Sequence, residues 1–216
     1  MGRRFLAERR QDPYYRAAQR EGLRSRAAFK LAYLDDRFHL FPPGARVLDL
    51  GAAPGGWSLI ARERVGPRGR VVAIDLRPVE PVEGVRVVRG RVGDPELTER
   101  LGETRFDVVL SDMSPRISGA YATDHARSVD LVRAAFRLAT QVLARDGTLV
   151  AKVFDGDLLP EVVAEVGARF RTVRRTKPPA SREPSSELYL IAQGFRPSAD
   201  PGTGPPPTEG RSGADI

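Results

Sequence analysis

The sequence contains no cysteine and only two histidines, His39 and His125. The absence of cysteine excludes disulfide bonds and thiolate metal sites, and two histidines are too few for a histidine-based metal centre. No apolar run is long enough to span a bilayer, and the first residues, Met1 to Leu6, lack the apolar core of a signal peptide. These absences favour a cytoplasmic protein that has no metal site and no contact with a membrane.

Positive charge, in contrast, is abundant. The 216 residues carry a net charge of +7, and 41% of them are hydrophobic, which is enough for one domain with a full core. A basic balance of this kind favours a polyanionic partner, although basic proteins that bind no nucleic acid are common. Composition therefore indicates either an enzyme or an RNA-binding protein.

Much of this charge lies in the first 24 residues, which we interpret as a basic N-terminal arm. Its arginines are Arg3, Arg4, Arg9, Arg10, Arg16, Arg20 and Arg24, with Tyr14 and Tyr15 among them. Arginines interleaved with aromatic side chains suit the phosphates and unstacked bases of RNA. The alternative is a solvated arm that contacts no RNA.

The stretch VLDLGAAPGGWS, residues 47–58, predicts a buried strand, a tight glycine loop and the start of a helix. Gly51, Gly55 and Gly56 let the backbone turn sharply and approach a ligand closely. In a doubly wound sheet, a strand, a glycine loop and a helix in this order form the ligand-binding crossover. The alternative is a glycine turn that only packs.

This loop differs from the loops that bind phosphates. Its glycines lack the G-x-G-x-x-G spacing, Pro54 removes one N–H donor, and no Gly-Lys-Ser/Thr sequence follows. A loop with fewer anion-binding donors suits a nucleoside without phosphates, and S-adenosylmethionine is such a ligand. We therefore predict that this cofactor binds at the loop from Gly51 to Trp57.

The rest of the chain alternates strands with helices. A predicted helix begins after Ser25, its N-cap, and ends near Phe38; the later helices span 124–144 and 159–166. Beyond the first strand, the predicted strands span 71–75, 85–88, 106–112, 148–154, 170–176 and 188–192. This alternation predicts a Rossmann-like α/β fold, a mostly parallel seven-stranded sheet with helices on both faces. No helical pattern separates the last two strands, so we expect them to be antiparallel.

The domain that holds these elements is expected to span residues 25–195. Residues 196–216 are rich in proline, glycine and small polar residues, and such a segment buries too little apolar surface to fold. We predict a disordered tail there.

Three charged residues, Asp75, Asp112 and Lys152, fall at or near the carboxyl ends of predicted strands. Ligands of parallel sheets bind at these strand ends, so the three side chains are expected to share one site. Asp75 is placed to accept hydrogen bonds from ribose hydroxyls, as the acidic residue after the second strand does in dinucleotide-binding folds. For Asp75 the alternative is a helix-capping role.

Five segments occur in an order that is similar to a known family: SRAAFKL (25–31), DLGAAPGGWS (49–58), SDMSP (111–115), VAKVF (150–154) and SELY (186–189). Together they resemble the FtsJ-like ribosomal RNA large-subunit 2′-O-methyltransferases over residues 12–195. The resemblance implies a class I methyltransferase fold that uses S-adenosylmethionine. It also implies that the substrate is the ribose 2′-hydroxyl of a uridine in 23S rRNA of the large ribosomal subunit. We expect the enzyme to act as a monomer.

The resemblance assigns catalysis to Lys30, Asp112, Lys152 and Glu187. A ribose hydroxyl is a weak acid, so the enzyme must align it with the activated methyl group and help to remove its proton. We expect Lys152, on a rigid strand, to be central and Asp112 to orient it, while Lys30 and Glu187 hold the hydroxyl and balance charge. A neutral amine would take the proton, whereas an ammonium would steer the oxygen and stabilise its developing charge. The sequence leaves both open.

The residues predicted to contact the cofactor are Gly51, Pro54, Gly55, Gly56, Trp57, Asp75, Arg91 and Asp112. One of them departs from the family pattern. After the third strand the family has Gly-Asp-Phe, whose aspartate contacts the adenine amino group, whereas this chain has Gly90-Arg91-Val92. Because arginine has no acceptor for that amino group, Arg91 either stacks on adenine or turns away, and Asp94 is a possible substitute.

Two other functions are compatible with this sequence. The first is an RNA-binding ribosome-assembly factor with the same fold and little or no turnover. The reason for considering it is Arg91, which replaces the family's adenine-contacting aspartate. The intact set of four catalytic residues argues against it. The second is a small-molecule methyltransferase, which the basic arm and the net charge disfavour.

Overall fold

A computed structural model describes residues 27–102, 105–179 and 186–197. The predicted basic arm and the predicted helix cap at Ser25 lie outside these residues. The predicted tail also lies outside them, except for residues 196 and 197.

Within the described residues, seven strands form one sheet of order β3-β2-β1-β4-β5-β7-β6. The strands are β1 Arg46–Leu50, β2 Arg70–Asp75, β3 Val85–Arg89, β4 Phe106–Ser111, β5 Leu143–Phe154, β6 Phe170–Thr176 and β7 Glu187–Phe195. The first five strands pair in parallel, and β7 is antiparallel to both of its neighbours, β5 and β6. The mostly parallel seven-stranded sheet and the antiparallel final pair are therefore confirmed.

Helices cover both faces of this sheet, as predicted. They are α1 Ala27–Phe38, α2 Gly56–Val65, α3 Pro95–Leu101, α4 Tyr121–Val142 and α5 Leu159–Gly167. On one face, α1 and α2 pack in a core that contains Leu31 and Leu34. On the other face, α3, α4 and α5 pack in a second core around residues such as Val132 and Val162. Each fully buried aliphatic side chain of this kind contributes about 1.5–3 kcal/mol to stability.

The central strand β1 shows why its sequence is almost continuously apolar. Val47, Leu48 and Leu50 are all fully buried. Since successive side chains of a strand point to opposite faces, Val47 joins the core under α1 and α2, and Leu48 joins the core under α4. A parallel strand covered by helices on both sides needs apolar residues at both alternating positions. The glycine loop is thus attached to the most rigid part of the sheet.

The structure differs from the sequence-based predictions mainly at α3, α4 and β5; in addition, α4 begins at Tyr121 rather than at residue 124, and β7 spans Glu187–Phe195 rather than 188–192. Helix α3 was not predicted, because its seven residues bury only Leu97 and Leu101 and give too short a periodic pattern. Helix α4 ends at Val142 rather than at residue 144. Strand β5 begins at Leu143 rather than at residue 148, because Leu143 pairs with Phe106 before a register shift restores regular pairing at Val108.

None of the described helices has both the length and the apolar character needed to cross a membrane. Among the same residues, no group of three or more His, Cys, Asp or Glu side chains could hold a metal ion.

Candidate functional site

The glycine loop follows β1. The chain adds β2 and β3 on one side of β1 and then β4 and β5 on the other side, so the strand order changes direction at β1. Gly51, directly after β1, has φ +75°, and a Cβ there would approach the Met113 side chain to 2.7 Å. The Gly51 N–H donates to the Ile74 carbonyl at 2.9 Å, and the Asp112 N–H donates to the Leu50 carbonyl at 3.2 Å. These contacts fix the carboxyl ends of three strands at one point, which is the ligand-binding position of doubly wound sheets.

A cavity of about 740 Å³ opens at these strand ends. Five of the predicted site residues line it: Gly51, Asp75, Arg91, Asp112 and Lys152. The expected convergence of Asp75, Asp112 and Lys152 is therefore observed. A volume of this size falls within the range of small-molecule and cofactor sites.

Asp75, the last residue of β2, supplies a carboxylate at one end of the cavity. Its Oδ2 accepts the Ala53 N–H at 2.9 Å, and its Oδ1 accepts the Arg77 N–H at 2.8 Å. An ionised carboxylate has about four acceptor positions, so the two backbone bonds leave capacity for a pair of hydroxyl donors. This arrangement suits the ribose of a nucleoside and fixes the carboxylate for that purpose.

Apolar side chains that the sequence did not single out form another wall of the cavity, among them Leu76, Val92, Met113 and Leu131. Leu76 follows Asp75 and is 47% exposed, an unusual degree for a large apolar residue beside a core strand. A flat heterocyclic base would cover such surface, and the hydrophobic gain scales with the apolar area covered. The cavity thus combines an acceptor for ribose with an apolar wall for a base.

Arg91 follows β3 and also lines the cavity. The Gly90 N–H donates to the Asp75 carbonyl at 3.2 Å, which places Arg91 near the end of β2 that carries the Asp75 carboxylate. Asp94 lies immediately before α3 and does not line the cavity. The structure therefore gives no support to Asp94 as a substitute acceptor and leaves Arg91 at the position where the family pattern has an aspartate.

Trp57 does not line this cavity, and neither do Pro54, Gly55 and Gly56. The Trp57 side chain is 2% exposed, its Nε1–H donates to the Ala27 carbonyl at 2.7 Å, and its ring lies 5.6 Å from that of Tyr189. These contacts make Trp57 a packing residue that connects α2 with α1 and β7. Direct contact of these four residues with a cofactor stays a prediction.

Beside the cavity, the structure brings together Lys30, Asp112, Lys152 and Glu187, a group that we call the charged quartet. Lys152 Nζ lies 3.0 Å from Asp112 Oδ1 and donates to the Asp112 carbonyl at 2.9 Å. Glu187 Oε2 accepts from Lys30 Nζ at 2.5 Å, and Glu187 Oε1 lies 4.0 Å from Lys152 Nζ. Both lysines are 7% exposed, so each buried cation has a carboxylate partner, as burial of charge requires.

Tyr189 is a contributor that the sequence reasoning missed. Its ring is fully buried, its hydroxyl donates to Asp112 Oδ1 at 2.8 Å, and Lys30 Nζ lies 5.7 Å from the ring centroid. Tyr189 thereby contacts two members of the charged quartet. The sequence could have indicated this position, because residues two apart in a strand share a face and Tyr189 stands two residues after Glu187.

A second residue that the sequence reasoning missed is Asp49, in β1 directly before the glycine loop. Asp49 is fully buried, Ser58 Oγ donates to its Oδ2 at 2.6 Å, and its Oδ1 has no hydrogen-bond partner among the described residues. Burial raises the pKa of Asp49 to about 7, the hydrogen bond from Ser58 lowers it, and the nearby charges of Asp112 and Asp75 raise it. Ionisation of Asp49 is thus unfavourable in the folded protein, because the carboxyl group is buried and close to two other carboxylates.

The sheet order, the glycine loop after β1 and the carboxylate at the end of β2 are those of a Rossmann-like fold, here with the antiparallel β7 between β5 and β6. Solved structures with this fold include a ribosomal RNA methyltransferase from Plasmodium falciparum, with TM-score 0.71 and 27% identity, covering 80% of this chain and 98% of that one. The fibrillarin/Nop5p complex matches with TM-score 0.58 and 18% identity, over 78% of this chain and 83% of that one. The second likeness shows the fold alone.

Sequence comparison gives the family. The model of the FtsJ-like methyltransferase family matches residues 23–195. A ribosomal RNA large subunit methyltransferase E from Gluconobacter oxydans is 48% identical over 197 residues, which cover 90% of this chain and 73% of that protein. The protein of the same name from Methanothermobacter thermautotrophicus is 44% identical over 201 residues, 91% of this chain and 95% of that one. The chain therefore belongs to the FtsJ-like methyltransferase family.

Proposed function

We propose that this methyltransferase moves a methyl group from S-adenosylmethionine to the ribose 2′-hydroxyl of a uridine in 23S rRNA of the large ribosomal subunit. The observation that carries the proposal is the charged quartet, held in a buried cluster directly beside a nucleoside-sized cavity. The relatives named as large subunit rRNA methyltransferases support the same substrate.

The cavity residues fit S-adenosylmethionine. Asp75 would accept hydrogen bonds from the ribose hydroxyls, and Leu76 and Val92 would flank the adenine ring. When bound, this cofactor supplies a methyl group that its sulfonium has already activated. No pyrophosphate has to be held, which agrees with the proline in the loop and the loss of its N–H donor.

The residues of the quartet would act on the acceptor oxygen. A lysine ammonium has three donors, and Asp112 takes two of them from Lys152 through its carbonyl and its Oδ1. The remaining position on Nζ would be available to the 2′-oxygen, and the carboxylate of Glu187 lies 4.0 Å from the same Nζ. S-adenosylmethionine, when bound, would supply the methyl group, and the quartet would hold the acceptor oxygen while its hydroxyl proton passes to Lys152 or to water.

Lys152 would serve that step in one of two protonation states. As a neutral amine it accepts the proton, and as an ammonium it holds the oxygen in line and stabilises its growing negative charge while water takes the proton. In both cases the fixed pairing with Asp112 supplies the alignment, which is itself worth several kcal/mol of barrier.

The rest of the chain would hold the RNA. We propose that residues 1–24 contact rRNA phosphates, that residues 25–195 carry the chemistry and that residues 196–216 take no part in it. An enzyme with this substrate works in the cytoplasm, and we propose that it acts as a monomer.

Neutralising Arg3, Arg4, Arg9 and Arg10 should weaken RNA binding and flatten its salt dependence, because fewer counterions are released. An unchanged salt slope would mean that the arm is a solvated segment.

The decisive experiment is single-turnover transfer of labelled methyl from S-adenosylmethionine to three acceptors: large subunits that lack the modification, free 23S rRNA and a mixture of small-molecule hydroxyl compounds. We expect one labelled ribose, located by ribose-methylation mapping, in at least one RNA acceptor. RNA binding without transfer would favour the assembly-factor alternative, for which Arg91 at the cavity wall is the motive. Transfer only to small molecules would overturn the RNA assignment.

A further inference from the structure

The segment 112–120, between β4 and α4, borders the cavity and exposes apolar side chains that the fold does not use. Ile117 is 64% exposed and Tyr121, the first residue of α4, is 63% exposed. No other large hydrophobic among the described residues is exposed as much. Neither residue contributes to the two cores, so their exposure calls for another explanation.

Tyr121 is exposed but firmly held. Its hydroxyl donates to the Asp155 carbonyl at 2.7 Å, and its ring lies parallel to that of His125, at an interplanar angle of 14° and a centroid distance of 6.4 Å. His125 is buried, and its Nε2 accepts the Leu158 N–H at 3.0 Å. The other ring nitrogen, Nδ1, therefore carries the proton of the neutral ring and donates to the Phe154 carbonyl. One side of the Tyr121 ring is thus supported by a fixed neighbour.

The segment in front of Tyr121 is fixed as well. The Asp124 carboxylate accepts the Ser118 N–H and the Ser118 hydroxyl, each at 2.8 Å, and the Gly119 N–H at 3.0 Å. The backbone bond from Ser118 lowers the pKa of Asp124, so the carboxylate stays charged at neutral pH. Because the segment is ordered beforehand, a ligand that binds there loses little free energy in ordering it.

The position of Tyr121 connects it with the charged quartet. Asp155, which holds its hydroxyl, follows Phe154 at the end of β5, and Phe154 pairs with Glu187 in β7. Lys152 lies only three residues before Asp155. An aromatic ring held at this strand end stands next to the place where the acceptor nucleotide would enter.

Positive charge borders the same surface. Arg116 lines the cavity, and the exposed Arg127 donates to the Arg116 carbonyl at 3.4 Å. Neither arginine forms an ion pair with another of the described residues. Asp155, whose carbonyl accepts the Tyr121 hydroxyl, and Asp157 follow the end of β5, and their carboxylates would repel a phosphate there. The surface that begins at the cavity therefore carries both an exposed aromatic ring and two exposed arginines.

We propose that Tyr121 is a stacking platform for a nucleobase adjacent to the nucleotide whose ribose is methylated, and that Arg116 and Arg127 receive a neighbouring phosphate. A nucleobase matches the flat apolar ring, and its backbone matches the flanking charge, whereas an apolar protein segment would leave both arginines unpaired. This inference rests on the proposed function, because it requires that the acceptor is RNA.

The test compares Tyr121→Ala with Tyr121→Phe in methyl transfer to the RNA acceptor of the wild-type enzyme. Losing one base–aromatic stack should raise KM for RNA by about 5- to 100-fold, with little change in kcat or in cofactor affinity. Tyr121→Phe keeps the ring and should retain the wild-type KM. Val87→Ala, an exposed apolar position on the edge strand β3, is the matched control and should change nothing.

A spectroscopic readout separates stacking from a structural role. An RNA fragment with 2-aminopurine beside the mapped nucleotide should lose fluorescence on binding wild type and Tyr121→Phe, but not on binding Tyr121→Ala. Arg116→Ala should reduce the slope of log K against log salt by about 0.7–0.9, whereas Tyr121→Ala should leave that slope unchanged.

The outcomes are distinct. If the wild-type enzyme methylates no RNA, the proposed function fails. If it methylates RNA but Tyr121→Ala keeps the wild-type KM and quenching, only the platform is overturned. Equal losses of kcat in Tyr121→Ala and Tyr121→Phe would also overturn it, because the hydroxyl bond to Asp155 would then be the feature that matters. A change in self-association at unchanged KM would identify a protein contact instead.

Discussion

Lys152 and Asp112 are joined through two atoms of the same aspartate, the carbonyl at 2.9 Å and the carboxylate Oδ1 at 3.0 Å from Nζ. Their strands are neighbours in the sheet, with Ser111 in register with Ala151. A single carboxylate–lysine pair would let the amine swing about the carboxylate, whereas the second contact to the backbone removes that freedom. The direction of Nζ is therefore set by the rigid ends of β4 and β5.

Replacing Lys152 by alanine should abolish methyl transfer while cofactor binding stays nearly intact. In the proposed function the positioned amine acts on the acceptor oxygen rather than on the cofactor, and loss of such a group typically costs 10²–10⁴-fold in rate. Lys152→Arg should not restore activity, because arginine stays protonated and its planar fork has a different shape. Single-turnover transfer measures the rate, and circular dichroism with calorimetry controls for folding and cofactor binding. Near-normal transfer by Lys152→Ala would move the proton-handling role to Lys30 or Asp112.

Asp75→Ala should weaken binding of S-adenosylmethionine by about 1–3 kcal/mol, the usual cost of a lost hydrogen bond to a charged group. The carboxylate would be removed from the ribose end of the cavity, and the Ala53 and Arg77 N–H groups would lose their acceptor. Arg77→Ala is the control, since it keeps the carboxylate and removes only the guanidinium group 3.5 Å from it. Titration calorimetry that gives unchanged affinity for Asp75→Ala would take this residue out of the site.

Arg91→Asp should tighten binding of S-adenosylmethionine. The substitution restores an acceptor for the adenine amino group at the position where the family pattern has one, and Arg91 lines the same wall of the cavity as Leu76 and Val92. Arg91→Ala separates the two effects, because it removes the guanidinium group without adding an acceptor. If both variants bind the cofactor more weakly than wild type, Arg91 itself contributes by stacking on adenine.

Asp49 should make folding stability fall as pH rises. Its pKa is about 7 in the folded protein against 3.8 for an ordinary aspartate, so between these values the folded state holds a proton that the unfolded chain has released. Stability is lost where the folded state binds more protons, and the full effect is on the order of a few kcal/mol. Asp49→Asn has no such group to ionise. In the cofactor-free protein, the Tm of wild type relative to Asp49→Asn should therefore decline from about pH 4 to pH 7.

Ser58→Ala provides the matched control for that measurement. Without the Ser58 hydroxyl, the ionised form of Asp49 loses its one hydrogen bond from a side chain, so the pH-dependent loss of stability should extend to higher pH. Parallel pH profiles of wild type and Asp49→Asn would contradict the raised pKa.

The alternation of strands and helices was readable from the sequence because the central strands are apolar at both alternating positions, as Val47 and Leu48 show. Helix α3 was not predicted, because two buried leucines, four residues apart, are too few to show a helical period. The sheet order could not be worked out from local pattern, because it depends on pairings such as that between β5 and β7, which cross long stretches of chain.

At the candidate site, the sequence predicted which charged residues lie at the strand ends, but it did not predict which side chains contact one another. Asp75, Asp112 and Lys152 could be placed by their position at strand ends. The hydrogen bond from Tyr189 to Asp112 joins residues 77 positions apart and has no local signature. For Trp57 the sequence pattern predicted a cofactor contact, because the residue belongs to the glycine loop motif, whereas the structure shows its side chain buried in the packing between helices and sheet. The basic arm stays a prediction.

The position of β7 has a consequence for when the protein acquires its activity. This strand is the last of the described strands, yet it lies between β5 and β6, and it supplies both Glu187 and Tyr189 to the charged quartet and its surroundings. Within the described sheet the edge strand β6 pairs only with β7, so a sheet without β7 would be missing two strands and one of the two carboxylates that pair with the lysines of the quartet. The charged quartet therefore needs β7 in place, and a chain that has not yet added this strand to the sheet would lack Glu187 beside Lys30 and Tyr189 beside Asp112.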